Sequence, residues 1–317
     1  MRVDTHHHIL PPRYLEQERE RIRGTSHALF PRLLQWTPGR AVETMDREGI
    51  ATAVSSISTP GIWFGDAAAA RRLARECNDY AAQLTADHKG RFGLFAALPL
   101  PDVDGSLREI EYALDVLRAD GVGLMTNYDD RWPGEPAWAP VFDELERRRA
   151  VVYFHPTAAK ACANLLPGLP PATIEFPFDT TRAITSLLLS GTFSRCPHIR
   201  FIFSHGGGTL PMLAGRLASF LRVRPDLGAR VPNGVMPELA RLYYDVVGVA
   251  NPMAFAAVRQ LAPISHLLFG TDYPFFAPDV TVNGLAQLGL GPGDLRAIER
   301  DNALALLPRL QAEEARA

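Results

Sequence analysis

Arg2-Val3-Asp4-Thr5-His6-His7-His8-Ile9-Leu10-Pro11-Pro12 joins the first short apolar run of the chain to a histidine triplet and a proline pair. In an extended segment alternate side chains face the same way. His6 and His8 then share a face, Asp4 lies beside them, and His7 points to the other side. Two imidazoles on one face at the end of a strand make half of a metal site. The position after this strand is equally informative. A doubly wound open sheet carries a Gly-rich phosphate loop there, whereas this chain has His8, Pro11 and Pro12.

Working outward, short runs rich in β-branched, aromatic and aliphatic residues recur at Arg2–Thr5, Ala53–Ser58, Phe92–Leu98, Val122–Thr126, Val151–His155, Arg200–Ser204, Leu242–Val247 and His266–Thr271. Between them lie amphipathic stretches, among them Asp66–Asp87, Ser106–Ala119, Ala137–Arg149, Asp179–Arg195 and Asn251–Leu261. Strands alternating with helices imply parallel strands joined by crossovers. Eight such units in a chain of 317 residues predict an α/β fold of the (β/α)₈ TIM barrel type, one domain over 1–317. The charged connection 10–37 is too long for an ordinary turn. It leaves the first strand on the rim where barrel active sites sit, which predicts a lid-like insertion.

Bulk composition narrows the function. The chain is 47% hydrophobic and 21% charged, with a formal net charge of −2. That balance offers no electrostatic footprint for nucleic acid or an anionic membrane. No apolar run approaches the roughly 20 residues of a membrane helix. The N-terminus lacks a basic head and apolar core, so a cytoplasmic location is expected. Cys77, Cys162 and Cys196 form no CxxC pair and no disulfide framework.

Three further strands end in a candidate ligand: Tyr153-Phe154-His155-Pro156, Phe203-Ser204-His205-Gly206-Gly207-Gly208 and Phe269-Gly270-Thr271-Asp272-Tyr273-Pro274. In a barrel these ends meet at one rim. Imidazoles with a carboxylate suit Zn²⁺ and similar divalent ions, and an open position makes such a site catalytic. Of the two lysines, Lys89 precedes the third strand and Lys160 follows the fifth. The fourth strand ends Thr126-Asn127, without a lysine to bridge two ions, so one metal ion is expected. His7 is expected to pack behind the strand. His27, His88, His198 and His266 are assigned no role. Asp245, at the seventh strand's end, either orients a ligand or caps a turn.

With these residues the chain resembles the amidohydrolase superfamily. More narrowly, it is similar to the group of aminocarboxymuconate-semialdehyde decarboxylase and the decarboxylases acting on γ-resorcylate, 5-carboxyvanillate and 6-methylsalicylate. The resemblance runs from Val3 to about Leu307. It rests on Asp-Thr-His-His-His (4–8), Phe-His-Pro (154–156), Ser-His-Gly-Gly-Gly (204–208), Ala-Gly-Arg (214–216), Gly-Thr-Asp-Tyr-Pro-Phe (270–275) and Asp-Asn-Ala (301–303). Phe178-Asp179-Thr180-Thr181-Arg182 leans toward the ortho-hydroxybenzoate decarboxylases and brings Arg182 into the expected substrate site. The resemblance implies His6, His8, His155 and Asp272 as metal ligands, with Zn²⁺ expected and Mn²⁺ the alternative. It makes His205 the acid/base and Phe275 an aromatic pocket wall. Arg216 would hold a substrate carboxylate, in some members from the neighbouring subunit, which implies a homodimer. Arg32 would be a second carboxylate-binding arginine in the lid.

The expected reaction is metal-dependent, non-oxidative loss of CO₂ from an aromatic, ortho-hydroxybenzoate-like acid or a related unsaturated carboxylic acid, a small-molecule partner. Asp272 comes first and His205 second as the donor of a proton to the ring. Phe176, Phe178, Tyr273 and Phe275 are the candidate walls of a dry pocket. A metal-dependent hydrolase of a lactone or amide is the alternative on the same ligands. A binding protein with a closed, structural metal is the third reading.

Overall fold

A computed structural model describes residues 1–25, 29–162 and 165–314. Eight parallel strands stand in the order of the sequence: β1 Arg2–His8, β2 Ile50–Ser56, β3 Phe92–Ala97, β4 Gly121–Met125, β5 Val151–His155, β6 Arg200–Phe203, β7 Tyr243–Asp245 and β8 Leu267–Leu268. The first and last strands come together. The Thr5 amide donates to the Phe269 carbonyl at 3.0 Å, the Asp272 amide to the His6 carbonyl at 2.7 Å and the His8 amide to the Tyr273 carbonyl at 2.8 Å. The sheet is thereby a (β/α)₈ barrel. β8 is shorter than the run His266–Thr271 because residues 269–273 run beside β1 through these separate hydrogen bonds.

The strands are buried on both faces because helices cover the outside and side chains fill the inside, and most of them are apolar for that reason. All of Phe92–Ala97 and Val151–His155 are buried. Inside the barrel Val3, Val54, Phe95, Tyr153, Ile202 and Leu268 pack with Ala303, Leu304, Leu306, Leu307 and Leu310 from the end of the chain. His8, Ser56, Thr126, His155 and Ser204 stand at or just past the C-terminal ends of the strands, beyond this layer.

The helices follow local signals. The Asp66 carboxylate accepts the amides of Ala68 and Ala69 at the start of helix Ala67–Asp87, a cap of about 1 kcal/mol. Asn251 caps Pro252–Leu261 in the same way. The helix expected from Asp179 begins at Pro171 and runs through Pro177 to Leu189. Gly191, in the left-handed region, separates it from a short turn at Thr192–Arg195. None of the described helices is long and apolar enough to cross a membrane.

The segment 10–37 holds three short helices, Pro12–Gln17, Arg19–Thr25 and Phe30–Leu33. Its residues 26–28, with His27, lie outside the described residues. Tyr14, Ile22, Phe30, Leu33 and Trp36 are buried, and the Tyr14 hydroxyl donates to the Gly61 carbonyl beyond β2 at 2.8 Å. Between this segment and the rim loops lies a cavity of about 340 Å³ lined in part by Arg21, Thr25, Trp63, Phe64 and Tyr128.

One expectation of simple alternation fails. The register of β1 on β2 shifts between Asp4 and His7. Asp4 therefore turns away from the face of His6 and His8. Its carboxylate lies 3.0 Å from His7 Nδ1 and accepts the Thr271 hydroxyl at 2.6 Å and the Thr271 amide at 3.1 Å. Asp4 joins the first strand to the last instead of joining the ligand face.

Candidate metal centre and active site

Four side chains converge at the rim. His6 and His8 come from β1, His155 from the end of β5, and Asp272 from the chain after β8. All four are buried, and one ligand atom from each lies within 4.8 Å of the others. Asp272 Oδ1 is 3.3 Å from His6 Nε2, 3.1 Å from His8 Nε2 and 4.0 Å from His155 Nε2. His6 Nε2 and His8 Nε2 are 3.1 Å apart.

The remaining ring nitrogens are each tied down. His155 Nδ1 donates to the Pro156 carbonyl at 2.9 Å, which leaves its Nε2 as a lone pair. His6 Nδ1 is 2.9 Å from Asp245 Oδ2. His8 Nδ1 is 3.0 Å from Ser56 Oγ, whose hydroxyl also lies 3.3 Å from the His7 carbonyl. That carbonyl can only accept, so the hydroxyl donates to it and His8 Nδ1–H donates to Ser56. Three imidazole lone pairs and a carboxylate oxygen without a hydrogen-bond partner then face one point. A donor set of this kind fits a divalent cation. Of the two lysines, Lys160 pairs with Asp129 and Lys89 precedes β3, at the opposite end of the strands.

Before an ion binds, the electrostatics set His6 apart from the other two imidazoles. Burial opposes a charge on His6, but the carboxylates of Asp245 and Asp272 more than offset it and push its pKa up to about 10. Burial pulls His8 down to about 4. Burial, with the neighbouring imidazoles, holds His155 well below its usual value. Burial alone would raise Asp272, but His6, His205 and His8 hold it well below the usual carboxylate range.

His205 stands beside the cluster, its Nε2 3.5 Å from Asp272 Oδ2 and its side chain 18% exposed. It is the more open partner of the pair. Both residues have left-handed backbones, with φ of 56° and 57°. Such non-glycine conformations cost of order 1–3 kcal/mol and gather at functional sites. Behind His205, a Cβ on Gly208 would fall 2.0 Å from the Pro177 carbonyl, so only glycine lets this turn lie against helix Pro171–Leu189. Beneath the cluster the Tyr153 ring meets His6 edge-on at 5.5 Å.

The expected pocket walls separate into two groups. Phe275 packs edge-on to His8 at 5.6 Å and Phe176 to His155 at 6.4 Å. Tyr273 stacks on His7 at 5.0 Å, behind β1, and Phe178 is exposed. Arg32, Arg182 and Arg216 make no hydrogen bond or ion pair with the cluster. Arg32 is exposed and lines a separate cavity of about 300 Å³ with Trp36, Arg40, Arg47, Tyr273 and Pro274. Arg182 Nη1 is 3.7 Å from the buried Asp179, which also takes hydrogen bonds from Thr126, Asn127 and Trp132. Arg216 is exposed on helix Leu210–Arg222. Ser56, and Ser58 with its Oγ 3.5 Å from His155 Nε2, went unnoticed in the sequence. The only signal was a polar Ser55-Ser56-Ile57-Ser58 run at a strand end.

Comparison with known proteins adds to this geometry. Residues 3–309 match the family model described as Amidohydrolase. Decarboxylase yanB of Aspergillus niger is 37% identical, over 98% of this chain and 88% of that one. The 6-methylsalicylic acid decarboxylase acuB of Aspergillus aculeatus is 35% identical, over 99% of this chain and 98% of that one. A crystal structure of 2,6-dihydroxybenzoate decarboxylase with 2,6-dihydroxybenzoate superposes with a TM-score of 0.84 at 25% identity, covering 97% of this chain and 99% of the other.

Proposed function

This chain belongs to the amidohydrolase family, and from that premise we propose that it is a metal-dependent carboxy-lyase of an ortho-hydroxybenzoate-like acid, 6-methylsalicylate first. The observation that carries the reading is the nearly full-length likeness to a named 6-methylsalicylic acid decarboxylase. The structure supports it with a buried cluster that has an acid/base pair at its open edge.

In this reading His6, His8, His155 and Asp272 hold one divalent ion, Zn²⁺ in the first instance and Mn²⁺ in the second. When bound, the ion supplies Lewis-acid stabilisation of negative charge at the substrate oxygens. His205 and Asp272 share the proton. From His205 Nε2, the more exposed of the two, it passes to the ring carbon that bears the carboxylate. The bond to CO₂ then breaks, and its electron pair restores the aromatic ring. Phe275 and Phe176 flank the reacting ring and keep water from it, which favours release of neutral CO₂.

The segment 10–37 acts as a lid over the rim. Arg216 takes part only from a second subunit, in a homodimer. Its own helix carries exposed Met212 and Phe220, with exposed Val223 at its C-cap, an apolar face suited to a like subunit. Arg32 and Arg182 contribute to substrate binding only if the lid and helix Pro171–Leu189 close further.

The test is CO₂ release from 6-methylsalicylate and 2,6-dihydroxybenzoate by zinc-loaded and manganese-loaded protein, with His205→Ala as control. Release that the variant loses is expected. No release from any ortho-hydroxybenzoate, with metal bound, would overturn the reading in favour of lactone or amide hydrolysis on the same ligands.

A further inference from the structure

Asp245, the last residue of β7, is fully buried. Its carboxylate makes three polar contacts. Oδ2 is 2.9 Å from His6 Nδ1. Oδ1 accepts the amide of His205 at 3.0 Å and that of Val247 at 3.1 Å. No arginine or lysine pairs with it among the described residues. A residue that only capped a turn would need the two amides; the His6 contact is additional and reaches past β8 to β1.

We propose that Asp245 is the positioning residue of this site: one oxygen fixes His6 for metal binding while the other fixes the backbone of His205. The proposal rests on reading His6 as a ligand and His205 as the proton donor. A carboxylate on Nδ1 requires the proton there, so Nε2 presents its lone pair to the cluster. The same group holds the amide of a residue whose φ of 56° a free chain would rarely adopt. The metal ligand and the proton donor are therefore oriented by one rigid group.

The three donors make Asp245→Asn an informative change. An amide has one acceptor oxygen and one donor nitrogen. If the oxygen serves the two backbone amides, the NH₂ faces His6 Nδ1 and drives the ring proton to Nε2, where it blocks ligation. If the oxygen serves His6, the NH₂ opposes two N–H groups and His205 loses its anchor. Neither orientation reproduces the native set.

The experiment compares parent and Asp245→Asn for zinc affinity by chelator competition, and for kcat and KM at saturating zinc. Zinc affinity about 10–100-fold weaker is expected, with a further fall in kcat at saturation and little change in KM. A role confined to fold stability would lower the melting temperature but leave the zinc affinity of the folded protein alone. If Asp245→Asn does not fold, ¹⁵N NMR of the imidazoles in the zinc-loaded parent gives the answer: His6 protonated at Nδ1 is expected. Zinc affinity within about threefold of the parent, or a His6 proton on Nε2, would overturn the proposal. Neither the zinc titration nor the NMR uses a substrate. Weakened zinc binding together with no CO₂ release from any acid would sink the decarboxylase reading and leave this one standing.

Discussion

Gly270→Ala is the sharpest test of how the site is packed. Gly270 lies between β8 and Asp272, and its φ is ordinary, so alanine meets no backbone penalty there. The penalty is space. A Cβ would fall 2.7 Å from His6 Cβ, 3.0 Å from Val247 Cγ2 and 3.3 Å from Asp245 Cβ. The His6 contact is about 0.7 Å inside ordinary van der Waals range, and His6 Cβ cannot swing aside because it is fixed to the backbone. The strands must part, but the Asp272 amide holds the His6 carbonyl at 2.7 Å. Overpacking of this kind costs about 1–3 kcal/mol. At about 2.1 cal/mol/K per residue, unfolding this chain carries roughly 0.7 kcal/mol/K, so the melting temperature should fall by roughly 1.5–4.5 °C. His6 would move by more than the roughly 0.2 Å that ligand distances tolerate, and zinc affinity should drop at least about tenfold. Thermal melts in chelator read the packing cost alone, and zinc competition reads the site. Gly39→Ala, with nothing within 4 Å of its Cβ, is the control and should cost nothing. A Gly270→Ala protein with the parent's melting temperature and zinc affinity would refute the reasoning.

Other outcomes rest on the same geometry. His205→Ala should keep its zinc and lose about 10²–10⁴-fold in kcat, whereas Asp272→Asn and His155→Ala should lose both; full metal and full activity in either of the last two would remove it from the ligand set. Without metal, His6 carries a proton up to a pH of about 10, so zinc uptake near pH 7.5 should release about one proton and tighten as pH rises; calorimetry in two buffers of different ionisation heat that finds no released proton would contradict this. The raised His6 pKa also stabilises the metal-free fold fully below its unfolded value of about 6.5, and this contribution fades as pH climbs through 10; a metal-free melting temperature that does not fall between pH 7 and 10 would count against it. Arg216→Ala should leave the melting temperature unchanged because the side chain is exposed, and raise KM about tenfold or more; an unchanged KM removes Arg216 from substrate binding.

Much of this was legible in the sequence. All eight strands overlap the short runs marked in the sequence; most are apolar because helices cover their outer face and side chains fill the barrel, whereas β1 is buried but polar beyond Val3, where it carries the site. His6, His8, His155 and Asp272 converge because parallel strands in a barrel bring their C-terminal ends to one rim. Asp4 was misplaced because strict alternation does not survive the register shift beside it. The start of helix Pro171–Leu189 was missed because Pro177 reads as a stop, although the helix accommodates it. Arg32 and Arg182 were expected at the substrate and make no hydrogen bond or ion pair with the cluster, since their positions depend on how the segment 10–37 and the long helix pack rather than on a local pattern. The roles of Ser56 and Asp245 are relations between strands far apart in sequence. A lone serine or aspartate at a strand end carries no motif for such a relation.

The seam between β1 and the chain after β8 has a consequence for assembly. Two of the proposed ligands belong to the first ten residues and a third to the last fifty. An ion held by them is a clasp across a loop of more than 260 residues, and it removes much of the freedom the two ends would otherwise regain on opening. A nascent chain has no such clasp until its final strand has emerged. Occupancy of the centre would then report that the ring of strands has been finished.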